Sequence, residues 1–498
     1  MERIKARPNP RAFVFGASSP RQAAKGQRAT RLRSLIDGPR HPLIAALFIA
    51  CAVVLGGGGS PNPGTEVILQ LVFVVAALAW LWVPGQAGPI PVTRSRNFWL
   101  ICGLVLALPL IQLVPLPPSV WTGIAGNEDR AAALALVGRE HTWQPLSHSP
   151  PRTLASLLAM IPALFAFFAA ASLDARGRSW VVGAVVAMAL VSALFGALQV
   201  SLGPVSGPYL YAQNSPNLTG FQANRNATAD LLLIGIAATV ALFMPSLTPR
   251  GAPRAEARKP LIADRRAATL VLGGLTAVLF FAVLLTASRM GIALLSLVLV
   301  GVWVILRPAL ADRGKVRFLP ALAALAAIPV VAFVAWQTGI TSLRNVTGRF
   351  FIDAFDEGTR VELWRDGWFA MQQAWPFGVG MGGAQPALIA AERLEVLEPD
   401  LPNRVHNDYL ELALEGGALA AVLLAAVAIL LLAAAWRSWR DRPEERHLTA
   451  LGIVVLLVVA MHSFVDYPLR SMALACLTGA GAGLLISPPR RPAYEPGA

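Results

Sequence analysis

The chain has 498 residues, 55% of them hydrophobic and only 14% charged, with a formal net charge of +14. Apolar runs long enough to cross a bilayer recur throughout, which excludes a soluble globular enzyme and leaves an all-α, polytopic membrane protein. The basic balance, with a pI near 10.8, requires no nucleic acid, because loops kept at the cytoplasmic face are expected to be rich in Lys and Arg.

Residues 1–42 form a basic tail with Pro, Ser and Gly but no apolar core, expected to lie in the cytoplasm against anionic membrane lipids. No cleavable signal peptide is expected before the first span. Twelve spans are predicted, at 43–58, 67–83, 98–116, 153–173, 179–201, 229–247, 267–287, 290–307, 317–336, 416–436, 447–465 and 470–487, followed by a cytoplasmic tail over 488–498. The first nine fill residues 43–336 and the last three 416–487. With both termini inside, the cytoplasmic segments hold most of the 42 basic residues and a minority of the 28 acidic ones. Cys51, Cys102 and Cys476 all fall in apolar spans, so neither a disulfide framework nor a metal cluster is expected.

In chain order, the run GGGGSPNPG (56–64) reads as a flexible outer turn with nothing to bind. Residues 117–152, with Trp121, Trp143 and several prolines, suit an interfacial platform. Asn224, Arg225 and Asn226 just precede a helix, where their donors and its free N–H groups could meet an anionic or sugar ligand, although Asn-rich turns also serve as caps. Arg289 stands in a tight hairpin, TASRMG, between two apolar spans; snorkelling explains it less well than a bound phosphate.

Residues 337–415 make one large outer loop with Arg344, Arg349, Arg360, Arg365, Arg393 and Arg404 but no lysine, a choice that favours bidentate recognition of phosphate or carboxylate. An amphipathic helix is predicted from about Arg360 to Ala374, lying on the membrane with Trp364, Trp368 and Phe369 toward its apolar side and ending at Pro376. GVGMGG (378–383) lacks the strand context of a dinucleotide fingerprint and reads as a flexible, closely packed turn. At the loop's end, NRVHNDYLELALEGG (403–417) places His406 in the first turn of a helix capped by Asn403, stacked with Leu410, Ala413 and Gly417. Asp408, Glu411 and Glu415 form an acidic stripe on the same helix. A titratable imidazole at a membrane surface suits a general base, and interfacial capping is the bland alternative. In HSFVDYPLR (462–470), Asp466 and Arg470 are expected to pair.

In this order and on this topology, TGFQANRNATADLL (219–232), SRMGIALL (288–295), GTRVELWRDGWFAMQQAWPFGVGMGG (358–383), VHNDYLELALEGGALA (405–420) and HSFVDYPL (462–469) resemble the bacterial O-antigen ligase and polymerase superfamily over about residues 200–470. The resemblance implies a GT-C-like glycosyltransferase architecture in the bacterial inner membrane. It implies an undecaprenyl-diphosphate-linked glycan donor, a lipid A core or other saccharide acceptor, and no cofactor or metal. It makes Arg289 and Arg360 the arginines that hold the donor diphosphate, and His406 the catalytic or donor-positioning histidine. Asn224, Arg225, Asn226, Arg365, Arg404 and Asn407 are the accompanying substrate-binding candidates, with Arg360 and Arg365 competing for the diphosphate. Ligation of O-antigen to lipid A core is the preferred activity, an O-antigen or exopolysaccharide polymerase the alternative. A transporter or flippase is disfavoured, because the spans carry almost no charge and the candidate residues gather at one face.

Overall fold

A computed structural model describes residues 40–59, 63–83, 95–124, 126–211, 216–248, 260–310, 358–393, 395, 401 and 403–486. The predicted ninth span (317–336), most of the basic tail, the C-terminal tail, Arg344 and Arg349 lie outside the described residues.

Among the described residues, eleven apolar helices overlap the other eleven predicted spans. They are α1 (Arg40–Leu55), α2 (Pro63–Trp82), α3 (Arg96–Gln112), α5 (Pro150–Ser172), α6 (Ala175–Ser206), α7 (Arg225–Leu247), α8 (Arg265–Leu285), α9 (Arg289–Leu310), α12 (Asp408–Asp441), α13 (Arg446–His462) and α14 (Met472–Leu485). Eight are long and apolar enough to cross a bilayer outright; α1, α3 and α14 are shorter apolar helices. Between them lie α4 (Glu128–Leu136), α10 (Gly358–Gln373) and α11 (Ala384–Ala391), besides a single helical turn at Pro118–Trp121 and short 3-10 turns at Pro443–Glu445 and Pro468–Arg470.

Helix α7 is the hub, with 94% of its apolar window buried, as expected of a helix that is hydrophobic all round. Its internal hydroxyls are satisfied locally: Thr239 Oγ1 donates to Gly235 O at 2.7 Å and Thr228 Oγ1 to Thr219 O at 2.6 Å. Gly235 lets α6 approach so closely that a Cβ there would lie 2.5 Å from the Ala189 methyl. Helix α14 uses the same device against α5, where Gly479 and Gly483 pack on the backbone of Ala163 and Phe167.

Two helices are broken by glycines with positive φ. Gly203 (φ 78°) interrupts α6 at the end of its predicted span. Gly417 (φ 56°, ψ −145°) divides α12 into a short polar first part and the apolar length beyond. A side chain at Gly417 would meet Pro376 O at 1.9 Å, so the break requires glycine.

The segment 115–149 is tied to its surroundings, Ser147 N donating to Gln112 O at 3.0 Å and His148 N to Val379 O at 2.9 Å. β1 (Pro115–Leu116) pairs antiparallel with β2 (Gln144–Pro145), Pro115 opposite Pro145. Trp121 is buried within it and donates to Thr142 O at 3.0 Å, rather than sitting at an interface. Trp143 is exposed.

Candidate functional site

Helices α7, α9, α12 and α14 begin, and α1, α3, α8 and α13 end, at one end of the bundle, where the candidate residues meet. The chain around His406 differs from the expected helix. Asn407, not Asn403, is the N-cap, its Oδ1 accepting from the amides of Tyr409 and Leu410 at 3.0 Å. His406 therefore precedes the helix, with φ 55°, and does not stack with Leu410, Ala413 and Gly417. Two tertiary contacts set this register: the Trp364 indole donates to His406 O at 3.2 Å, and the Asp408 amide bonds Ser463 O and Asp466 O.

His406 Nδ1 lies 3.3 Å from Asp466 Oδ1, close enough for charge interaction but without the alignment of a hydrogen bond. The ring stands edge-on to Tyr467, 4.8 Å between centroids. Asp466 is the junction of the site. Its Oδ2 accepts from Asn224 Nδ2 at 3.1 Å and, at closer range, from Asn226 Nδ2; its Oδ1 accepts from the Tyr467 amide at 2.9 Å. Burial pushes the Asp466 carboxyl up, but His406, His462 and Arg360 together outweigh it and hold the group below the usual carboxylate range. The expected Asp466–Arg470 pair is absent.

Asn224 also caps α7, its Oδ1 accepting from the Asn226 amide at 2.8 Å. Asn226 Oδ1 accepts from the Ser288 hydroxyl at 2.7 Å, which ties α7 to the first turn of α9, where Arg289 is the first residue. Arg225 opens α7, half-buried. Arg360 donates from Nη1 to Val465 O at 3.1 Å, one residue before Asp466. Arg365 does not join it: its side chain is 66% exposed and lies 3.6 Å from Glu362 on the outer side of α10. Trp368 and Phe369 of that helix are also exposed, as a membrane-lying face would have them.

The acidic stripe is buried. Arg470 Nη2 contacts Glu415 Oε2 at 2.6 Å and Glu411 Oε1 at 3.3 Å, and its Nε stands 3.8 Å from Asp408. Arg404 Nη1 donates to Glu411 Oε1 at 2.8 Å. These charges form a paired network, in which Arg404 is engaged, while Asn407 is occupied in capping α12. The glycine-rich turn is tightly held rather than flexible. Gly380 N donates to Glu415 O at 2.9 Å, Gly382 N to Glu415 Oε1 at 2.8 Å, and the Ala418 amide to Pro376 O at 2.9 Å, so the turn grips the break in α12.

Two further contributions were not anticipated. Gly56 and Gly57 are buried: Gly56 O accepts from the Ala473 amide and Gly57 O from the Ala223 amide, each at 2.9 Å. Gly57 and Gly59 line a pocket shared with Asn224, Asn226 and Asp466. Asp230 and His462, a buried pair, also line it. An ionisable residue inside an apolar span is itself the signal that could have singled out Asp230.

Fold and site define a multi-pass membrane protein whose polar, ionisable residues converge at one end of its helices. Residues 274–425 match the family model described as O-antigen ligase. Over that stretch the chain is similar to the O-antigen ligase family, a likeness that supports a membrane enzyme of O-antigen ligase or polymerase type. The match includes Arg289, Arg360 and His406 but stops short of Asn224, Asn226 and Asp466 on either side. No curated protein matches the chain.

Proposed function

We propose that the chain transfers a glycan from undecaprenyl diphosphate to an acceptor hydroxyl at the periplasmic face of the inner membrane, and that the transfer is ligation of O-antigen to lipid A core. The observation that carries this reading is that His406 and Arg360 both reach the short loop that bears Asp466, with Arg289 next to Ser288, which is bonded to the same junction through Asn226.

In this mechanism Arg289 and Arg360 hold the diphosphate and stabilise the negative charge that grows as it leaves. With Nδ1 turned toward Asp466, His406 has Nε2 left for the acceptor. The acceptor oxygen bonds to the anomeric carbon, the bond from that carbon to the diphosphate oxygen breaks, and the hydroxyl proton passes to His406 Nε2. Asp466 orients the imidazole and supports the positive charge it gains. A single in-line displacement inverts the anomeric centre; a product anomer identical to the donor's would refute it.

Deleting the gene in its host tests the activity, read by a gel of the lipopolysaccharide and by extraction of the lipid-linked glycans. Core lacking O-chain, with long polymer accumulating on the carrier, is the expected result. Core bearing a single repeat would make the chain a polymerase instead.

A further inference from the structure

All seven amides of residues 377–383, the turn between α10 and α11, donate within the protein. Phe377 N and Gly378 N bond Ala374 O, Val379 N bonds Leu414 O, Gly380 N bonds Glu415 O and Gly383 N bonds Gly380 O, at 2.8–3.1 Å. Met381 N donates to Gln112 Oε1 at 2.9 Å and Gly382 N to Glu415 Oε1 at 2.8 Å. Pro376 O, Val379 O and Met381 O accept from the Ala418 amide, the His148 amide and the Thr153 hydroxyl. A turn bathed in water can leave such groups to solvent. Irregular backbone at membrane depth cannot, and is tolerated only where the protein itself satisfies it.

The partners fix the depth of the turn. Gln112 ends α3, Thr153 lies in the first turn of α5, and Ala418 follows the glycine break that begins the apolar length of α12. Beside two of these anchors the spans already expose apolar side chains: Leu110 and Ile111 next to Gln112, and Leu154 next to Thr153. The surface that faces acyl chains therefore reaches the level at which the turn is held. Met381 goes deeper, buried against Leu108 and Ala420 with Met160, Leu419 and Leu423 packed around it. Leu108 is one helical turn inside the end of α3, about 6 Å at the α-helical rise. At the same turn Trp375 and Phe377 are 47% and 41% exposed, and Trp368 and Phe369 on α10 are more than half exposed. Exposed Gln372 and Gln373 between these two pairs put α10 itself at headgroup depth.

We propose that residues 375–383 form a re-entrant wedge in the bilayer leaflet at this end of the bundle, with Trp375 and Phe377 among phospholipid acyl chains and α10 lying along the headgroups beside it. The two ends of α10 then meet different media. Its first turns reach the site, through Arg360 to Val465 O and Trp364 to His406 O, while its far end is held by lipid. Such seating requires only that the spans cross a bilayer, so it and the transferase reading can each fail while the other stands.

The full-length protein in nanodiscs of phosphatidylethanolamine and phosphatidylglycerol tests the seating in two ways. In a background of Cys51→Ala, Cys102→Ala and Cys476→Ala, a nitroxide is attached at Trp375→Cys or Phe377→Cys. The aqueous reference is His141→Cys, where the native side chain is 91% exposed. Power-saturation EPR compares collisions with oxygen, which concentrates among acyl chains, and with a water-soluble nickel chelate. The oxygen-to-nickel ratio is expected to be higher at both wedge positions than at the reference. The unmodified protein is also irradiated with a phospholipid bearing a diazirine high on one acyl chain, and the adducts are mapped by mass spectrometry. Adducts on residues 368–377 are expected alongside those on the spans. Ratios equal to the reference, or adducts confined to the spans, overturn the proposal. Labels reached by neither reagent and broadened by one another mean that a second copy of the chain covers this face, and overturn it as well. Monodisperse elution checks the fold of each labelled variant; where one fails, the adduct map of the unmodified protein decides.

Discussion

Asn226 donates to Asp466 across 240 residues of sequence, and its side-chain oxygen accepts from Ser288 at 2.7 Å. One amide thus joins the start of α7, the start of α9 and the loop before α14. Asn226→Ala removes both bonds and leaves a buried carboxylate short of a donor. A loss of about 1–3 kcal/mol of stability is expected, together with a large loss of transfer, read by thermal unfolding in detergent and by a reconstituted transfer assay. Asn226→Asp should be no milder, because it sets two carboxylates against each other.

Arg360 and Arg365 should separate cleanly. Arg360→Ala takes away a guanidinium at the Asp466 loop and is expected to lower transfer by on the order of 100-fold or more. Arg365→Ala removes an exposed partner of Glu362 and is expected to leave transfer within about twofold. Equal losses from the two variants would remove Arg360 from its assigned role.

Arg470→Met leaves Glu411 and Glu415 buried without their shared counter-charge. A destabilisation of about 3–5 kcal/mol is expected for breaking a buried pair of this kind, seen as loss of folded protein after solubilisation. Arg470→Met with Glu415→Gln should recover part of it. No recovery would mean that the guanidinium acts through packing rather than charge.

The pH dependence of Asp466 has a definite sign. Its carboxyl is held below the usual range, so its contribution to stability is present above the pH at which an unfolded aspartate titrates, about 4, and is lost only as pH falls through the lower folded value. The stability gap between wild type and Asp466→Asn should be as wide at pH 5 as at pH 7 and narrow only below about pH 4. Thermal unfolding of both proteins across that range decides it; a gap already closing between pH 7 and pH 5 would reverse the assigned shift.

The membrane helices were legible because span length and lack of charge are local properties: α7 and α8 can be outlined from composition alone. The register at His406 was not. Asn403 and Asn407 are equally good caps by residue type, and the choice is made by the Trp364 indole and the backbone of the 463–466 loop. The burial of the acidic stripe was hidden for the same reason, since Arg470 lies 55 residues beyond Glu415. The arginines and His406 could be picked out by chemistry, whereas the junction at Asp466 and the Asp230–His462 pair are visible only once distant helix ends are brought together.

The buried run Gly56–Gly59 has a practical consequence for mapping which side of the membrane each loop faces. By composition it is an inviting place to insert an epitope or reporter, yet its carbonyls are bonded to Ala223 and Ala473 and a Cβ on Gly57 would lie 2.1 Å from Phe221 O. A tag placed there would wedge apart the wall of the pocket and report on a damaged protein. The turn after α4 is the better position: Leu136 and Val137 are exposed, and Gly138 has open space around it. A reporter at that turn would read out orientation while the helix ends that build the pocket stay undisturbed.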